Sequence, residues 1–259
     1  MEWIIAVGSC LLIYYGVIKN SQKKQNIRYL ENRQSSLAKQ ILYLRAKESE
    51  KRALYNQTFC SIDTETTGLV FAESKIIQVA LVLFKNGKRV GSRSWMINPG
   101  VKIPVNATKV NKITNEMLED KPRFAEIKEE LSRLIQKYPL VGHNLSFDHG
   151  MLEHEFTRHS MQFSPTILYC TMKATSDIFT KFDRRYRRNQ SPWKKLGSLA
   201  NEFGIQPKGN LHDALVDADL AGKIYITMLT IEADNFQSER ILAQQQMASV
   251  QSEISSLKK

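Results

Sequence analysis

The period of the apolar positions changes along the chain, and each change marks an element. Thr58 to Ile62 is a β-rich run, and Ile76 to Phe84 reads as a buried strand. Asn86-Gly87 is a hairpin signal that returns Arg89 to Ile97 as the partner strand. Phe124, Ile127, Leu131, Leu134 and Ile135 recur at helical spacing and predict a helix to Tyr138. Leu140-Val141 is a short strand, and a helix is expected to start near Phe147 or Asp148. Thr166 to Cys170 is a further strand, Leu196 to Phe203 a helix closed by Gly204, and Asp213 to Leu229 a last helix. Three early strands followed by alternating helices and strands predict an α/β domain over residues 58–231, with a mixed central sheet and helices on its faces.

The flanks follow other patterns. Trp3 to Ile18 carries no charge and holds 13 apolar residues of 16. As a helix it reaches about 24 Å at ~1.5 Å per residue, against ~30 Å of hydrocarbon, so both ends must contribute to a span. Lys19, Lys23, Lys24 and Arg28 follow it, which predicts a transmembrane anchor over residues 1–18 with the rest of the chain in the cytoplasm. The rival readings are a cleaved signal or lipoprotein, although neither a basic start nor a small-x-small cleavage site is clear, and a soluble amphipathic segment. Residues 19–57 contain no proline or glycine, and Ile27, Leu30, Leu37, Ile41 and Leu44 form a heptad-like stripe with Gln34 in its gap. This predicts a basic helical stalk, either facing anionic lipid or docking its seam on the next domain. Met247, Val250, Ile254 and Leu257 predict an amphipathic helix within 232–259. Residues 27–44 and 247–257 are thus candidate surfaces for a helical partner, in the same chain or in a homodimer.

Charge sharpens the picture. Thirty-seven basic and 26 acidic residues leave a formal charge of +11, which favours polyanions: nucleic acid or an acidic membrane face. Lys181 to Lys195 holds seven basic residues among Phe182, Tyr186 and Trp193. Basic groups track phosphates and aromatic rings stack on unpaired bases, so Arg184, Arg185 and Tyr186 are candidate substrate contacts. The cysteines Cys10, Cys60 and Cys170 are odd in number and far apart, which argues against a disulfide framework or a zinc site.

The acids carry the chemistry. Asp63 and Glu65 are two apart at a strand end, so both carboxylates point to one face. Alone this means little, because a DxE is expected about once by chance in a chain of this length. Asp148 opens a helix, with Phe147 and Leu152 able to pack below it. Asp217 lies in the first turns of the last helix; His212 is five residues earlier and reaches in from the loop. Asp213 and Asp219 are neighbouring competitors, and Asp217 is preferred for its spacing from His212, leaving Asp219 as a surface acid.

The stretches DTETTGL, GHNLSFDHGML and HDALVDAD resemble the three exonuclease blocks of the DnaQ-like DEDD superfamily, in its histidine-bearing branch. Ile103 to Thr108 and Ile113-Thr114 resemble the intervening segment, except that Asn111-Lys112 stands where the family often has His-Gly. The resemblance covers about residues 58–231 and implies a ribonuclease H-like exonuclease fold. It implies that Asp63, Glu65 and Asp217 hold one divalent ion and that Asp63 with Asp148 helps to hold a second. Oxygen ligands suit Mg²⁺ or Mn²⁺. By the same resemblance His212 is the general base, and Thr66, Thr67, Gly68, Leu69, Asn144 and Phe147 contact the terminal nucleotide. An imidazole of ordinary pKa ~6.5 accepts a proton at neutral pH.

The expectation is a membrane-anchored, metal-dependent 3′–5′ exonuclease that releases nucleoside monophosphates from single-stranded 3′ ends, with DNA slightly favoured. The alternatives are RNA 3′-end trimming and an inactive nucleic-acid-binding tether. The complete set of five residues argues against the tether.

Overall fold

The computed structural model describes residues 2–175 and 193–259, and of residues 2–14 and 168 the backbone alone. The chain divides into two units: residues 53–230, and the residues up to Arg52 together with Ile231–Lys259.

In the first unit a five-stranded sheet is built from β1 (Phe59–Thr66), β2 (Ile76–Lys85), β3 (Lys88–Met96), β4 (Leu140–Gly142) and β5 (Ile167–Cys170). Their spatial order is β3-β2-β1-β4-β5. β1, β2 and β3 run antiparallel, while β4 pairs parallel with β1 and β5 with β4. The turn between β2 and β3 places Asn86 at φ 52° and Gly87 at φ 68°, the left-handed pair that an Asn-Gly hairpin needs. β1 is central, and its alternation sorts its side chains. Cys60 and Ile62 join a core with α4 (Phe124–Lys137) and α5 (Leu145–Arg158). Phe59 faces the other way, stacked on Phe84 at 5.1 Å and edge-on to Tyr225 at 5.0 Å. Tyr225 belongs to the last helix, which begins at Ala214 and lies against β2 at Gly222, where a Cβ would overlap the Phe84 ring. Helices thus cover both sheet faces, as expected.

The differences lie in short and long helices. α2 (Val105–Asn111) and α3 (Asn115–Leu118) have no counterpart in the sequence pattern, because seven and four residues are too few for a periodicity to show. α6 is Leu196–Glu202, with Gly204 at φ 67° beyond its end. The last helix, α7, runs unbroken from Ala214 to Lys258, where the pattern predicts two helices. Between Lys223 and Lys258 it meets no glycine or proline, so nothing stops it. α1 likewise spans Glu2–Asn56, merging the expected anchor and stalk.

The second unit is an antiparallel helical hairpin. Leu30 and Leu37 are buried with Ala243, Val250 and Ile254, and Ile41, Met247 and Leu257 pack against them. Gln34, in the gap of the stripe, bonds to Gln251 on the opposite helix. Lys258 pairs with Glu31 at 2.9 Å near one end, and Arg240 with Glu48 at 3.0 Å toward the other. The exposed Lys258–Glu31 pair contributes about 0.2–1 kcal/mol, so the apolar seam dominates. The stripes at 27–44 and 247–257 therefore occupy each other within one chain, and the homodimer reading of these segments gains no support. Nor does the transmembrane reading of residues 3–18: among the described residues no helix is long and apolar enough to cross a membrane. The uncharged run is short, it continues directly into the basic part of α1, and most of its side chains lie outside the described set.

Candidate active site

The strand alternation that buries Ile62 on one face and Phe59 on the other continues to the end of β1. Thr64 meets α5, and Asp63 and Glu65 point to the side of α7. The Thr64 backbone N–H and hydroxyl both donate to Asp148 Oδ1, at 2.9 and 2.8 Å. Asp148 sits in the first turn of α5, where a carboxylate is favoured by the helix dipole, and only 3% of it is exposed. The chain turns sharply from β4 into α5 through Asn144 at φ 60°.

Asp217 and His212 are brought together by the start of α7. His212 adopts φ 65° and its backbone N–H donates to Asp217 Oδ2 at 3.0 Å. The other Asp217 oxygen is buried and has no hydrogen-bond partner among the described residues. Gln78, the cross-strand neighbour of Glu65, accepts from the Ala214 N–H at 3.1 Å and donates to Asp213 Oδ1 at 3.5 Å. Asp213 also accepts from the Leu215 N–H at 2.9 Å, so it caps the helix. Asp219 is buried rather than a surface acid: it pairs with Arg89 at 3.3 Å and with Lys223. Of the three neighbouring acids, Asp217 alone lines the cleft.

The cleft has a volume of about 900 Å³, and Asp63, Glu65, Asp148, His212 and Asp217 all line it. One ligand atom each of Glu65, His212 and Asp217 lies within 4.8 Å of the others. Crowded, buried carboxylates resist ionisation. Burial, then the charges of Asp148, Asp217 and Glu65, hold the Asp63 carboxyl well above the ordinary range. Burial pushes Glu65 up to about 8, with Asp217 and Asp148 adding to it. Burial pushes Asp148 up to about 7 against the opposing Thr64 bonds, and burial also raises Asp217. An orphaned carboxylate oxygen among four such acids is a donor set that fits hard divalent cations.

This arrangement makes a prediction for the metal-free protein. The folded state holds protons on these acids above their unfolded pKa of ~4, so stability falls as pH rises from about 4 through about 8. Melting in EDTA is expected at a lower temperature at pH 8 than at pH 5. Mn²⁺ should raise the melting temperature more at pH 8 than at pH 5, by mass action on the ionised site. A melting temperature at pH 8 indifferent to Mn²⁺ would contradict the metal fit.

Thr66, Gly68, Leu69, Asn144 and Phe147 also line the cleft. Leu69 is 81% exposed at its mouth, on a loop held by Arg158, which donates to the Phe71 and Ser74 carbonyls at 3.0 Å. Thr67 is not among the lining residues. Its N–H donates to the Lys75 carbonyl and its hydroxyl accepts from the Lys75 N–H, both at 2.9 Å, so it closes the β1–β2 connection. Arg184, Arg185 and Tyr186 lie outside the described residues. Sequence reasoning named none of Asn106, Val110 and Asn111 of α2 or Asn201 of α6 as a cleft residue, while Lys195, the last of the predicted basic run, does line the cleft. The unusual Asn111-Lys112 pair was the one signal. His143 is held between Thr171 Oγ1 and the Lys194 carbonyl, each at 2.9 Å, and burial lowers its pKa to about 4. It is a neutral imidazole with both ring nitrogens engaged, at the edge of the cleft. His154 and His159 lie against the Phe71 and Phe124 rings.

Known proteins resemble the chain over this unit. The family model RNase_T, described as Exonuclease, matches residues 60–225. DNA polymerase III subunit epsilon of Treponema pallidum (strain Nichols) is 33% identical over 175 residues, 68% of this chain and 78% of its own length. The 3′-5′ exonuclease DinG of Bacillus subtilis (strain 168) is 30% identical over 174 residues, 67% of this chain but 18% of its own. The solved nuclease domain of 3′hExo, a DEDDh family member bound to rAMP, superposes with a TM-score of 0.56 at 16% identity, over 68% of this chain and 94% of that one. At that identity the likeness speaks for the fold. The catalytic unit, its acid-lined cleft and its kinship over two thirds of the chain lead to one conclusion: the chain belongs to the RNase_T exonuclease family of DnaQ-like 3′–5′ exonucleases.

Proposed function

We propose that this exonuclease uses two Mg²⁺ or Mn²⁺ ions and His212 to release nucleoside monophosphates from the 3′ ends of single-stranded DNA, as a member of the histidine-bearing DEDD branch. The observation that carries the proposal is the buried, unpartnered Asp217 Oδ1 beside Glu65 and His212. Asp63, Glu65, Asp148 and Asp217 would hold the ions. When bound, they supply Lewis acidity, which favours ionisation of an attacking water and neutralises charge on the phosphate. His212, exposed to the cleft, takes the proton from that water, with its loop fixed by the His212 N–H bond to Asp217. Thr64 keeps Asp148 in place through two bonds to one oxygen.

DNA is preferred because the relatives that share about a third of their residues with this chain include DNA polymerase III subunit epsilon. The test gives the full chain 3′-labelled and 5′-labelled DNA and RNA oligonucleotides with Mg²⁺, Mn²⁺ or EDTA. Metal-dependent release from the DNA 3′ end is expected. No release with either metal would sink the metal-dependent reading, and faster release from RNA would reverse the substrate assignment.

A second proposal concerns residues 3–18, which we read as a tether to a membrane with the catalytic unit in the cytoplasm. Its support is the uncharged sixteen-residue run followed by Lys19, Lys23, Lys24 and Arg28. Full-length protein should sediment with membranes and need detergent for release. Protein that stays in the supernatant without detergent would refute the tether.

A further inference from the structure

The connection between β1 and β2, residues 67–75, is fastened at many points. Its neck is closed by the bonds between Thr67 and Lys75. Inside it the Thr66 hydroxyl donates to the Gly68 carbonyl at 2.6 Å, and the Glu73 and Ser74 N–H groups donate to the Val70 carbonyl at 3.1 and 2.8 Å. From outside comes Arg158, at the end of α5. Its guanidinium donates to the Phe71, Ala72 and Ser74 carbonyls at 3.0, 2.6 and 3.0 Å, and to Glu155 Oε1 at 2.9 Å. Glu155 is 2% exposed, so a buried carboxylate holds the fork in place. Phe71 lies so close to α5 that a Cβ on Gly150 would overlap its ring, and it meets Phe147, a cleft residue, at 5.8 Å. The loop so fastened carries two adjacent aliphatic side chains in solvent: Leu69 at the cleft mouth, and Val70, 56% exposed. A loop already ordered loses little further entropy when a ligand meets it.

We propose that Arg158 is a positioning residue: fixed by Glu155, it clamps the loop so that Leu69 packs against the terminal base of a strand in the cleft. The inference rests on the exonuclease reading above. Arg158 acts through Leu69 and touches no substrate itself. Its loss weakens binding of the oligonucleotide and leaves the chemical step alone, so KM should rise while kcat changes little.

The test is a double-mutant cycle on the full chain, read by release from a 3′-labelled single-stranded DNA oligonucleotide in Mg²⁺. Arg158→Lys keeps a charge beside Glu155 but cannot span three carbonyls. It should raise KM by about tenfold, as coupled contacts do, with kcat within about twofold of the parent. Leu69→Ala should raise KM by a similar factor, and adding Arg158→Lys to it should change KM by less than about twofold. Equal factors in both backgrounds overturn the proposal, because Arg158 then acts on binding without Leu69. A parental KM for Arg158→Lys overturns it too. If circular dichroism finds Arg158→Lys unfolded, Arg158→Gln with Glu155→Gln takes its place, removing both charges of the buried pair together, and the same outcomes decide. Hydrogen exchange on the parent needs no variant: the Ser74 amide should exchange at least about 100-fold more slowly than in a free peptide, and exchange at the free rate overturns the clamp. Each of these failures leaves the exonuclease reading standing, whereas a parent chain that releases no nucleotide from the 3′ end removes both.

Discussion

An Asp63→Asn protein is expected to lose exonuclease activity by about 10³-fold and yet to melt at a higher temperature than the parent in EDTA at pH 8. The loss follows from removing a carboxylate at the centre of the acidic wall: several kcal/mol of charge stabilisation, at ~1.4 kcal/mol per decade, corresponds to this range. The gain follows from the same neighbours. Asp63 ionises against burial and against Asp148, Asp217 and Glu65, which hold its carboxyl well above the ordinary range. An amide of the same shape removes that repulsion. The difference in melting temperature should shrink from pH 8 to pH 5, because the repulsion is lost as the parent carboxyl gains its proton. Activity and stability measured on one sample are therefore expected to move in opposite directions, as they do where a site carries strain for function. An Asp63→Asn protein that is inactive and less stable at both pH values would point to misfolding instead.

The second large effect is expected from His212→Ala. A positioned general base contributes about 10²–10⁴-fold, so the variant should retain oligonucleotide binding and Mn²⁺ binding while kcat falls within that range. The fold should tolerate the change, because His212 is exposed and the bond that fixes its loop comes from the backbone N–H to Asp217, which Ala keeps. Its φ of 65° is less comfortable for Ala, so some loss of stability accompanies the catalytic defect. A variant with the parental kcat would remove the base assignment while leaving the carboxylate site untouched.

How much of this is legible in the sequence depends on the range of the interactions. The β2–β3 hairpin is written in two residues, Asn86 and Gly87, and α4 in the spacing of Phe124, Ile127, Leu131 and Ile135, all four of which are buried. The pairing of Asp63 with Glu65 on one face needs only the alternation of a strand. The separation of Asp213, Asp217 and Asp219 is harder, because it rests on partners far away in sequence. Gln78 takes Asp213 for the start of α7, and Arg89 takes Asp219 into an ion pair. The reading of Asp219 as a surface acid fails for that reason. Thr67 is drawn into the predicted site by its place in DTETTGL, although its hydroxyl serves Lys75. Asn111 is visible as a departure from the family, but its place in the cleft lining is not, since α2 is too short to announce its own faces.

The hairpin of α1 and α7 has a consequence for the order in which the molecule is made. The bond between Lys258 and Glu31 joins residues 227 apart, and the buried seam links the two ends of the chain across everything between them in sequence. Synthesis proceeds from the N-terminus, and domains generally fold as they emerge. Leu30 and Leu37 therefore leave the ribosome long before Val250 and Ile254 exist, while the sheet from Phe59 to Cys170 can already assemble. During that interval the first helix presents an unmatched apolar stripe, a natural target for chaperones. The clasp closes last, after the nuclease encoded between its two halves is complete.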